Sequence, residues 1–301
     1  MTLKHWFRLS RPEFHTVAIA PLLLGAVLGY RASGVLAPAA LALALLSVVL
    51  IMLVTYWTGE VFDYEVDTLS ARLEKNRFSG GTLVLQNTGL PKERVLAASL
   101  VAALLALLFG IWLSWGLGYG VSLFLVGVAG GVMGFFYSTP PFRWAWRGLG
   151  ELFIAIAYGW LPVAVGYFLH ARGWDLETIL LYGAPAAFSI FMVILINEFP
   201  DYPADSRVGK RNLVVRLGRE RAAWLYALAA GLFVLSVLAP LAMGERAFWL
   251  ALPTVALALY NAHAVLHGHW RDRALLEKLC ARTIVLNLSA SLLLLAGLVV
   301  F

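Results

Sequence analysis

The chain alternates between long apolar stretches and short polar segments. A helix needs about 17–25 mainly apolar residues to cross about 30 Å of hydrocarbon. Stretches of this kind lie at roughly 14–31, 36–58, 94–114, 119–137, 149–171, 177–197, 221–243, 246–267 and 281–301. Polar positions collect between them, above all at about 59–93 and 198–220. The pattern predicts an all-α, polytopic membrane helical bundle of about nine transmembrane helices, with residues 1–301 as a single domain capped by these two segments.

Composition leads to the same class. Hydrophobic residues make up 61% of the chain and charged residues only 13%, whereas soluble domains carry about 25% charged residues. The 11 Trp and 11 Tyr suit aromatic belts at the two membrane surfaces. A single cysteine, Cys280, excludes an intramolecular disulfide. The chain therefore has too little polar surface for a water-soluble protein.

The basic residues predict the orientation. Of the 23 Lys and Arg, 20 fall on the side of the N-terminus, and only Arg31, Arg172 and Arg246 fall on the other. Cytoplasmic segments are enriched in Lys and Arg, so we expect the N-terminus and both long polar segments in the cytoplasm and the C-terminus on the outer side of the cell membrane. The net charge of +6 is thereby explained by topology, and we expect no nucleic-acid partner.

An acidic pattern occurs twice. Glu-x-x-Asp-Tyr-x-x-Asp spans 60–67, at the end of the second apolar stretch, and 198–205, at the end of the sixth. Four crossings separate the copies, so both lie on the same membrane face. In the first copy, Glu60, Asp63 and Asp67 have the spacing of one face of a continuing helix. In the second, Pro200 and Pro203 favour a broken helix end.

Acidic residues at this spacing repel one another, so a cation is expected between them. Each copy is followed by basic residues: Arg72, Lys75 and Arg77 after the first, and Arg207, Lys210 and Arg211 after the second. One such cluster would be explained by a solvated helix end, but the repeat favours a divalent metal site with a phosphate-binding rim. Mg²⁺ takes one or two carboxylates and completes its shell with water and phosphates, and Lys and Arg bind the remaining phosphate oxygens.

A diphosphate site that opens on an apolar bundle suits a polyprenyl diphosphate. Ionisation of its carbon–oxygen bond is assisted by metal ions and guanidinium groups on the leaving group, and a dry pocket protects the allylic cation from water. Aromatic faces steady such a cation. The candidates are Trp57, Tyr64, Tyr137, Tyr158 and Tyr202, each of which packing or an interfacial belt would also explain.

The motifs resemble those of the UbiA superfamily of intramembrane prenyltransferases. The matching segments are 197–205 with its tail 209–218, and Tyr137-Ser-Thr-Pro-Pro-Phe-Arg143 with 147–151 behind it. The segment Asn76-Arg-Phe-Ser-Gly-Gly81 is similar to the menaquinone-type branch, which prenylates 1,4-dihydroxy-2-naphthoate. The resemblance implies nine helices and two Asp-rich motifs in cytoplasmic segments.

The resemblance also implies roles for individual residues. Mg²⁺ would be held by Asp63, Asp67, Asp201, Asp205 and Asn197, with Glu60 and Glu198 as further ligands. Diphosphate would be bound by Arg72, Arg77, Lys210 and Arg211, and Tyr137 and Arg143 would lie near the reacting ends of the two substrates. Two positions depart from the family: Gly59 replaces the usual Asn, and Asn212 replaces a common Thr. Without that Asn a metal or phosphate contact is lost, so either Glu60 compensates or the acceptor chemistry differs.

Three functions remain open at this stage. The favoured one is Mg²⁺-dependent transfer of a polyprenyl group from a prenyl diphosphate to an aromatic acceptor, with a naphthoate-type quinone precursor expected. A terpene cyclase of the same superfamily would use the same diphosphate site without an acceptor. A cation-coupled transporter also uses intramembrane carboxylates and internal repeats, but its sites usually lie near the midplane rather than at helix ends.

Several glycine pairs have the small-xxx-small spacing of membrane helix contacts. The pairs are Gly25/Gly29, Gly127/Gly131 and Gly130/Gly134. All three are predicted to serve close helix packing.

Overall fold

The structure, a computed structural model, describes residues 2–74 and 76–301; Lys75, one of the basic residues behind the first motif, lies outside them. Over the described ranges the regular structure is helical, with no strand. The α-helices are α1 (Leu3–Leu9), α2 (Thr16–Ser33), α3 (Pro38–Phe62), α4 (Tyr64–Ala71), α5 (Val84–Thr88), α6 (Lys92–Ile111), α7 (Val121–Phe135), α8 (Gly150–Ala155), α9 (Leu161–Ala171), α10 (Leu176–Asn197), α11 (Tyr202–Val208), α12 (Leu213–Leu217), α13 (Arg219–Ala242), α14 (Leu252–Leu266) and α15 (Arg273–Val300).

Eight helical segments of the described chain are long and apolar enough to cross a membrane. They are Thr16–Ser33, Pro38–Phe62, Lys92–Gly116, Gly150–Ala171, Leu176–Asn197, Arg219–Ala242, Arg246–Leu266 and Arg273–Val300. The ninth predicted stretch, 119–137, forms the 15-residue helix α7. At 1.5 Å per residue α7 is about 22 Å long, shorter than the roughly 30 Å of hydrocarbon. The multi-pass helical bundle is confirmed, with one helix shorter than expected.

Two of the long segments contain a π-helical turn. Helix α6 continues through Trp112–Gly116, and α8 is joined to α9 through Ile156–Trp160. Such turns are frequent at functional sites, because the extra residue changes the direction of neighbouring side chains. The second one carries Tyr158, which is buried and faces the interior of the bundle.

Helix α2 packs against α9 through glycine. A Cβ added at Gly25 would lie 2.0 Å from the Val163 carbonyl oxygen, and one at Gly29 would lie 2.3 Å from that of Tyr167. These distances permit no side chain, so the predicted packing role of this pair is confirmed.

The other two glycine pairs lie on α7, and the packing prediction is wrong for most of their members. A Cβ added at Gly127 or Gly131 would meet nothing within 4 Å, and at Gly130 only Leu161 Cδ1 at 3.8 Å. Only Gly134 is in close contact, since its added Cβ would lie 2.4 Å from Thr55 Oγ1. The glycine positions 127, 130 and 131 of α7 therefore border open space instead of a closely packed neighbour.

Helix α10 is central and α6 is peripheral. The most apolar 18-residue window is 67% buried in α10 but only 17% buried in Lys92–Gly116. The two helices that carry the acidic motifs, α3 and α10, both end at the same end of the bundle, where α4 contacts α11. Arg31, Glu245 and Phe301 line a cavity together at the opposite end. The acidic motifs are thus brought together away from the C-terminus.

Candidate active site

The two acidic motifs face one cavity of about 200 Å³. Its polar wall contains all four predicted aspartates with Asn197, Glu198 and Lys210: Asp63, Asp67, Asp201 and Asp205. Its remaining wall includes apolar and aromatic side chains, namely Phe14, Val17, Tyr56, Tyr137, Ile154, Tyr158, Ile190, Val193 and Ile194. The cavity therefore combines a charged end with an apolar interior.

The first motif does not continue as one helix. Helix α3 ends at Phe62, Asp63 leaves helical geometry (φ −99°, ψ 9°), and α4 begins at Tyr64. The expectation of a continuing helix is therefore wrong. The turn remains hydrogen-bonded, because the Asp63 N–H donates to Gly59 O at 2.9 Å and the Asp67 N–H donates to Asp63 O at 2.8 Å. The break accompanies a division of the motif: both aspartates line the cavity and Glu60 does not.

Asp63 is held by two donors from the segment after α7. The Ser138 hydroxyl donates to Oδ2 and the Trp146 indole N–H donates to Oδ1, each at 2.7 Å. Arg143 stacks its guanidinium on Trp146 at 3.6 Å from the ring centroid and donates to the carbonyl oxygen of Phe62 at 3.2 Å. Predicted to lie at the reacting ends, Arg143 instead braces Trp146 outside the cavity lining, whereas Tyr137 does line it.

The Glu60 carboxylate accepts hydrogen bonds from the surrounding loops. Arg11 Nη2 donates to its Oε1 at 2.9 Å, and Thr82 donates to the carboxylate from its backbone N–H at 2.7 Å and its hydroxyl at 3.0 Å. Arg11 also donates to the carbonyl oxygen of Gly80 at 3.1 Å. Among the predicted metal ligands, Glu60 is thus the one whose carboxylate is turned to the protein and away from the cavity.

The second motif is broken as its prolines predicted. Helix α10 ends at Asn197, a turn follows, and α11 begins at Tyr202. The carboxylate of Asp201 accepts hydrogen bonds from the Ser70 hydroxyl and from the Gly80 N–H at 2.8 Å. The donor on Ser70 comes from α4, so the helix that carries Asp67 is joined directly to the second motif.

Asp205 is held from the segment that follows α11. The side-chain amide of Asn212 donates to its Oδ2 at 2.7 Å, and Lys210 Nζ lies 3.7 Å from its Oδ1. Asn212 also caps α12 by accepting from the Val215 N–H at 2.8 Å. The residue that replaces the common Thr therefore positions an aspartate and begins a helix.

Lys210 is the predicted phosphate binder that reaches the cavity. Burial lowers its pKa, but the nearby carboxylates, Asp205 and Asp63 foremost, raise the pKa well above its usual value. Lys210 therefore stays charged. The other predicted phosphate binders lie outside the cavity lining: Arg72 and Arg211 are exposed, and the Arg77 side chain is 71% exposed with Glu277 at 3.8 Å.

Arg11 is a cavity residue that the sequence did not indicate. It follows α1 in the left-handed backbone region (φ 45°), and its guanidinium lies beside the buried carboxylate of Glu60. In the sequence it is one of several basic residues before the first span. The signal that would have found it is the electrostatic requirement that a buried Glu be paired with a cation.

The carboxyl groups of Asp67 and Asp205 resist losing their protons. Burial, followed by the charges of Asp63 and Glu60, raises the pKa of Asp67 to about 8. Burial also raises the pKa of Asp205 to about 7, although Lys210 acts in the opposite direction. A bound cation would remove this repulsion and displace the protons.

The donor set fits Mg²⁺. All the candidate ligands offer oxygen, the atom this ion prefers. Asn197 Oδ1 and Glu198 Oε2 are buried and, across the described ranges, lack a hydrogen-bond partner; a buried polar atom in that state is unfavourable. Within the same residues no three His, Cys, Asp or Glu side chains form a ready-made metal cluster. Mg²⁺ itself takes few protein ligands and completes its shell with water and phosphate oxygens.

The chain is similar to curated prenyltransferases. A 2-carboxy-1,4-naphthoquinone phytyltransferase from Synechocystis sp. is 26% identical over 278 residues, which cover 90% of this chain and 85% of the relative. A 1,4-dihydroxy-2-naphthoate octaprenyltransferase from Bacillus subtilis is 26% identical over 248 residues, covering 81% of this chain and 76% of the relative. The names of these relatives confirm the resemblance to the menaquinone-type branch.

Solved structures share the fold. A UbiA homolog from Archaeoglobus fulgidus bound to GPP and Mg²⁺ has a TM-score of 0.68 at 18% identity, covering 97% of this chain and 99% of that one. The apo structure of a UbiA homolog from Aeropyrum pernix has a TM-score of 0.69 at 17% identity, covering 95% and 97%.

A family model extends the agreement over nearly the whole sequence. The model of the UbiA prenyltransferase family matches residues 18–297, which include both acidic motifs, the segment that holds Asp63 and all or most of every long helix. The expectation of a prenyltransferase enzyme is confirmed, and the transporter alternative is set aside. The chain belongs to the UbiA prenyltransferase family.

Proposed function

We propose that the protein transfers a polyprenyl group from a prenyl diphosphate to a naphthoate-type aromatic acceptor within the membrane, in a Mg²⁺-dependent reaction. The observation that carries the proposal is the convergence of four aspartates and Lys210 at the charged end of a cavity with an apolar, aromatic interior. The names of the Synechocystis and Bacillus relatives support the choice of acceptor. The Archaeoglobus neighbour bound to GPP and Mg²⁺ supports the choice of donor and metal.

The proposed ligands follow from the cavity lining. Mg²⁺ would be held among Asn197, Glu198 and the four aspartates, Asp63, Asp67, Asp201 and Asp205, by one or two of them directly and by the others through water. When bound, Mg²⁺ would neutralise charge on the departing diphosphate. The side chains of Lys210 and Arg11 would donate hydrogen bonds to the diphosphate oxygens. We leave Glu60 out of the metal shell because Arg11 and Thr82 occupy its carboxylate, and we leave Arg72, Arg77 and Arg211 out because they lie outside the cavity lining.

The remaining residues would act on the prenyl group. As the carbon–oxygen bond breaks, its electron pair stays on the diphosphate and an allylic cation forms beside the aromatic wall. A ring carbon of the acceptor would then bond to this cation and restore its aromaticity by losing its proton or its carboxylate as CO₂. The faces of Tyr56 and Tyr158 would stabilise this cation, and the apolar lining would exclude water. Burial, followed by the charge of Glu198, holds the pKa of Tyr137 well above its usual value. Tyr137 therefore keeps its proton and can donate a hydrogen bond to an acceptor oxygen.

The direct test is product analysis. Purified protein with Mg²⁺ and a panel of prenyl diphosphates would be incubated with and without 1,4-dihydroxy-2-naphthoate and read by mass spectrometry. We expect prenylated naphthoate only when acceptor and Mg²⁺ are both present. A cyclic hydrocarbon formed without acceptor would instead identify the terpene cyclase, and full turnover in excess EDTA would refute the metal-dependent mechanism.

We further propose that the N-terminus and the active site face the cytoplasm and the C-terminus faces outward, as the basic residues predict. A cysteine at exposed Asn87, with Cys280 replaced by Ser, should be shielded from impermeant thiol reagents in intact cells and react after permeabilisation. Val35, 53% exposed and close in the chain to Arg31 at the opposite end of the bundle, provides the matched control and should react in intact cells. The reverse labelling pattern would invert the orientation.

A further inference from the structure

Two more cavities lie beside the active-site cavity, along α3 and α7. A middle cavity of about 70 Å³ shares Thr55, Ile154 and Tyr158 with the active-site cavity. A third, the lateral cavity of about 310 Å³, shares Ile51 and Gly127, among others, with the middle cavity. Successive cavities therefore share lining residues and adjoin one another along α3 and α7, and we treat this series as one path.

The path changes from charged to apolar along its length. The lateral cavity lies between α3, α6 and α7, and its lining is apolar apart from two serines. Along α3 the path extends from Asp63 to Ala44, about 28 Å at the helical rise. Leu107, Val128 and Val132 line it and are 43%, 37% and 42% exposed, so it opens to the lipid between α6 and α7.

Glycine on α7 keeps this path wide. Gly130 lines the middle cavity, Gly131 lines the lateral cavity, and Gly127 lines both. Glycine inside a helix is less favourable than alanine, and close packing explains its use at Gly134 but not at these three positions. The three glycines share the lack of a side chain, which leaves space inside the path.

The far end of the lateral cavity contains a second unexplained feature. Ser114, in the π-helical turn after α6, is 1% exposed and lines the cavity. Over the described part of the chain its hydroxyl has no hydrogen-bond partner. A buried hydroxyl in that state is unusual, and packing alone does not account for it.

We propose that the glycine face of α7, formed by Gly127, Gly130 and Gly131, determines the length of prenyl tail that the enzyme accepts. The inference rests on the proposed function. The occupant is the donor's hydrocarbon tail, because the path begins at the diphosphate end and becomes apolar as it leaves it. Gly134, against Thr55, marks the entrance; Gly130 lies about 6 Å and Gly127 about 10 Å beyond it along the helix.

The inference predicts an ordered effect. Gly130→Leu and Gly127→Leu would each place a side chain in the path without a close contact in the protein. Both variants should lose least in the transfer of a geranyl group, the shortest tail of the series. Each should lose about 10- to 100-fold in kcat/KM for longer tails, the range that misplaced apolar groups produce in binding pockets. Gly130→Leu should impose the shorter limit.

The experiment is a competition among geranyl, farnesyl, geranylgeranyl and octaprenyl diphosphates for one acceptor, with products resolved by mass. The matched control is Gly231→Leu on α13, where an added Cβ also meets nothing within 4 Å and which none of the three cavities includes. Thermal stabilisation by the same diphosphates without acceptor reads tail entry independently of turnover. The control should leave both readouts unchanged.

The outcomes separate the two proposals. The length determinant is supported if Gly130→Leu discriminates against shorter tails than Gly127→Leu does. This order should appear in the competition products and in the thermal stabilisation. Equal effects on all four donors would overturn it, and the lateral cavity would then be a site for membrane lipid or a packing defect. If the unmodified protein made no prenylated product, the proposed function would fail, and the stabilisation series would still decide whether long tails enter between α6 and α7.

Discussion

The ion pair between Arg11 and Glu60 provides a test of what Glu60 does. The sequence predicts it as a metal ligand, whereas the structure surrounds it with donors from Arg11 and Thr82. Replacing Arg11 by Met, Glu60 by Gln, and both together separates the two roles. If Glu60 only stabilises the fold, its replacement should lower the free energy of unfolding. If Glu60 binds the metal, its replacement should raise the Mg²⁺ concentration needed for activity.

The expected magnitudes follow from burial. Removing one partner of a buried ion pair costs about 3–5 kcal/mol. The Arg11 side chain is 23% exposed and that of Glu60 only 1%, and Glu60 keeps both donors from Thr82. We therefore expect about 2–3 kcal/mol for Arg11→Met, below the full range. Glu60→Gln, which loses charge-assisted bonds, should cost about 1–2 kcal/mol.

The double variant leaves no unpaired buried charge. Its loss should be smaller than the sum of the single losses by about 1–2 kcal/mol, the coupling typical of residues in contact. Unfolding can be followed with a thiol-reactive fluorescent dye, since Cys280 is the sole cysteine and is fully buried. Additive losses would show that the pair is not coupled. An increased Mg²⁺ concentration for half-maximal activity in Glu60→Gln would restore Glu60 to the metal shell.

Three further predictions concern the metal and the acceptor. Asp63→Asn and Asp201→Asn should each lower kcat by at least about 100-fold, the cost of removing a group that stabilises charge in a transition state, while the thermal unfolding temperature changes little. Asp67 and Asp205 have pKa values raised from 3.8 to about 8 and about 7, so without metal their stabilising contribution is complete below the unfolded value and is lost as pH rises through 7 and 8. Mg²⁺ should therefore increase the unfolding temperature more at pH 8.5 than at pH 6. At Gly59 an added Cβ would meet only Ser138 Oγ, at 3.8 Å, so Gly59→Asn should fit and lower the Mg²⁺ concentration needed for transfer.

Each of these three predictions would be contradicted by a particular result. Near-normal turnover in both aspartate variants would make the repeated motif structural. An equal Mg²⁺ shift at the two pH values would show that the ion does not compete with protons on these carboxylates. Loss of transfer in Gly59→Asn, with slow hydrolysis of the prenyl diphosphate continuing, would show that the glycine makes room for the acceptor.

The sequence by itself determined the class, the approximate spans, the convergence of the two motifs and the family. These features depend on local quantities: the length of an apolar run, the parity of crossings between Asp63 and Asp201, and fixed residues such as those of segment 197–205. The proline-broken end of α10 also follows from local chemistry, because Pro200 and Pro203 remove backbone donors wherever they lie.

Only the tertiary structure decided which charges face the cavity. Glu60 and Asp63 are three positions apart, yet one is paired with Arg11 and the other lines the active site, because the helix breaks between α3 and α4 and loops distant in the chain supply the donors. The glycines of α7 show the same limit. Spacing made Gly127 and Gly131 equivalent to Gly25 and Gly29, but a glycine serves packing or open space according to what stands opposite, and that neighbour comes from another part of the chain.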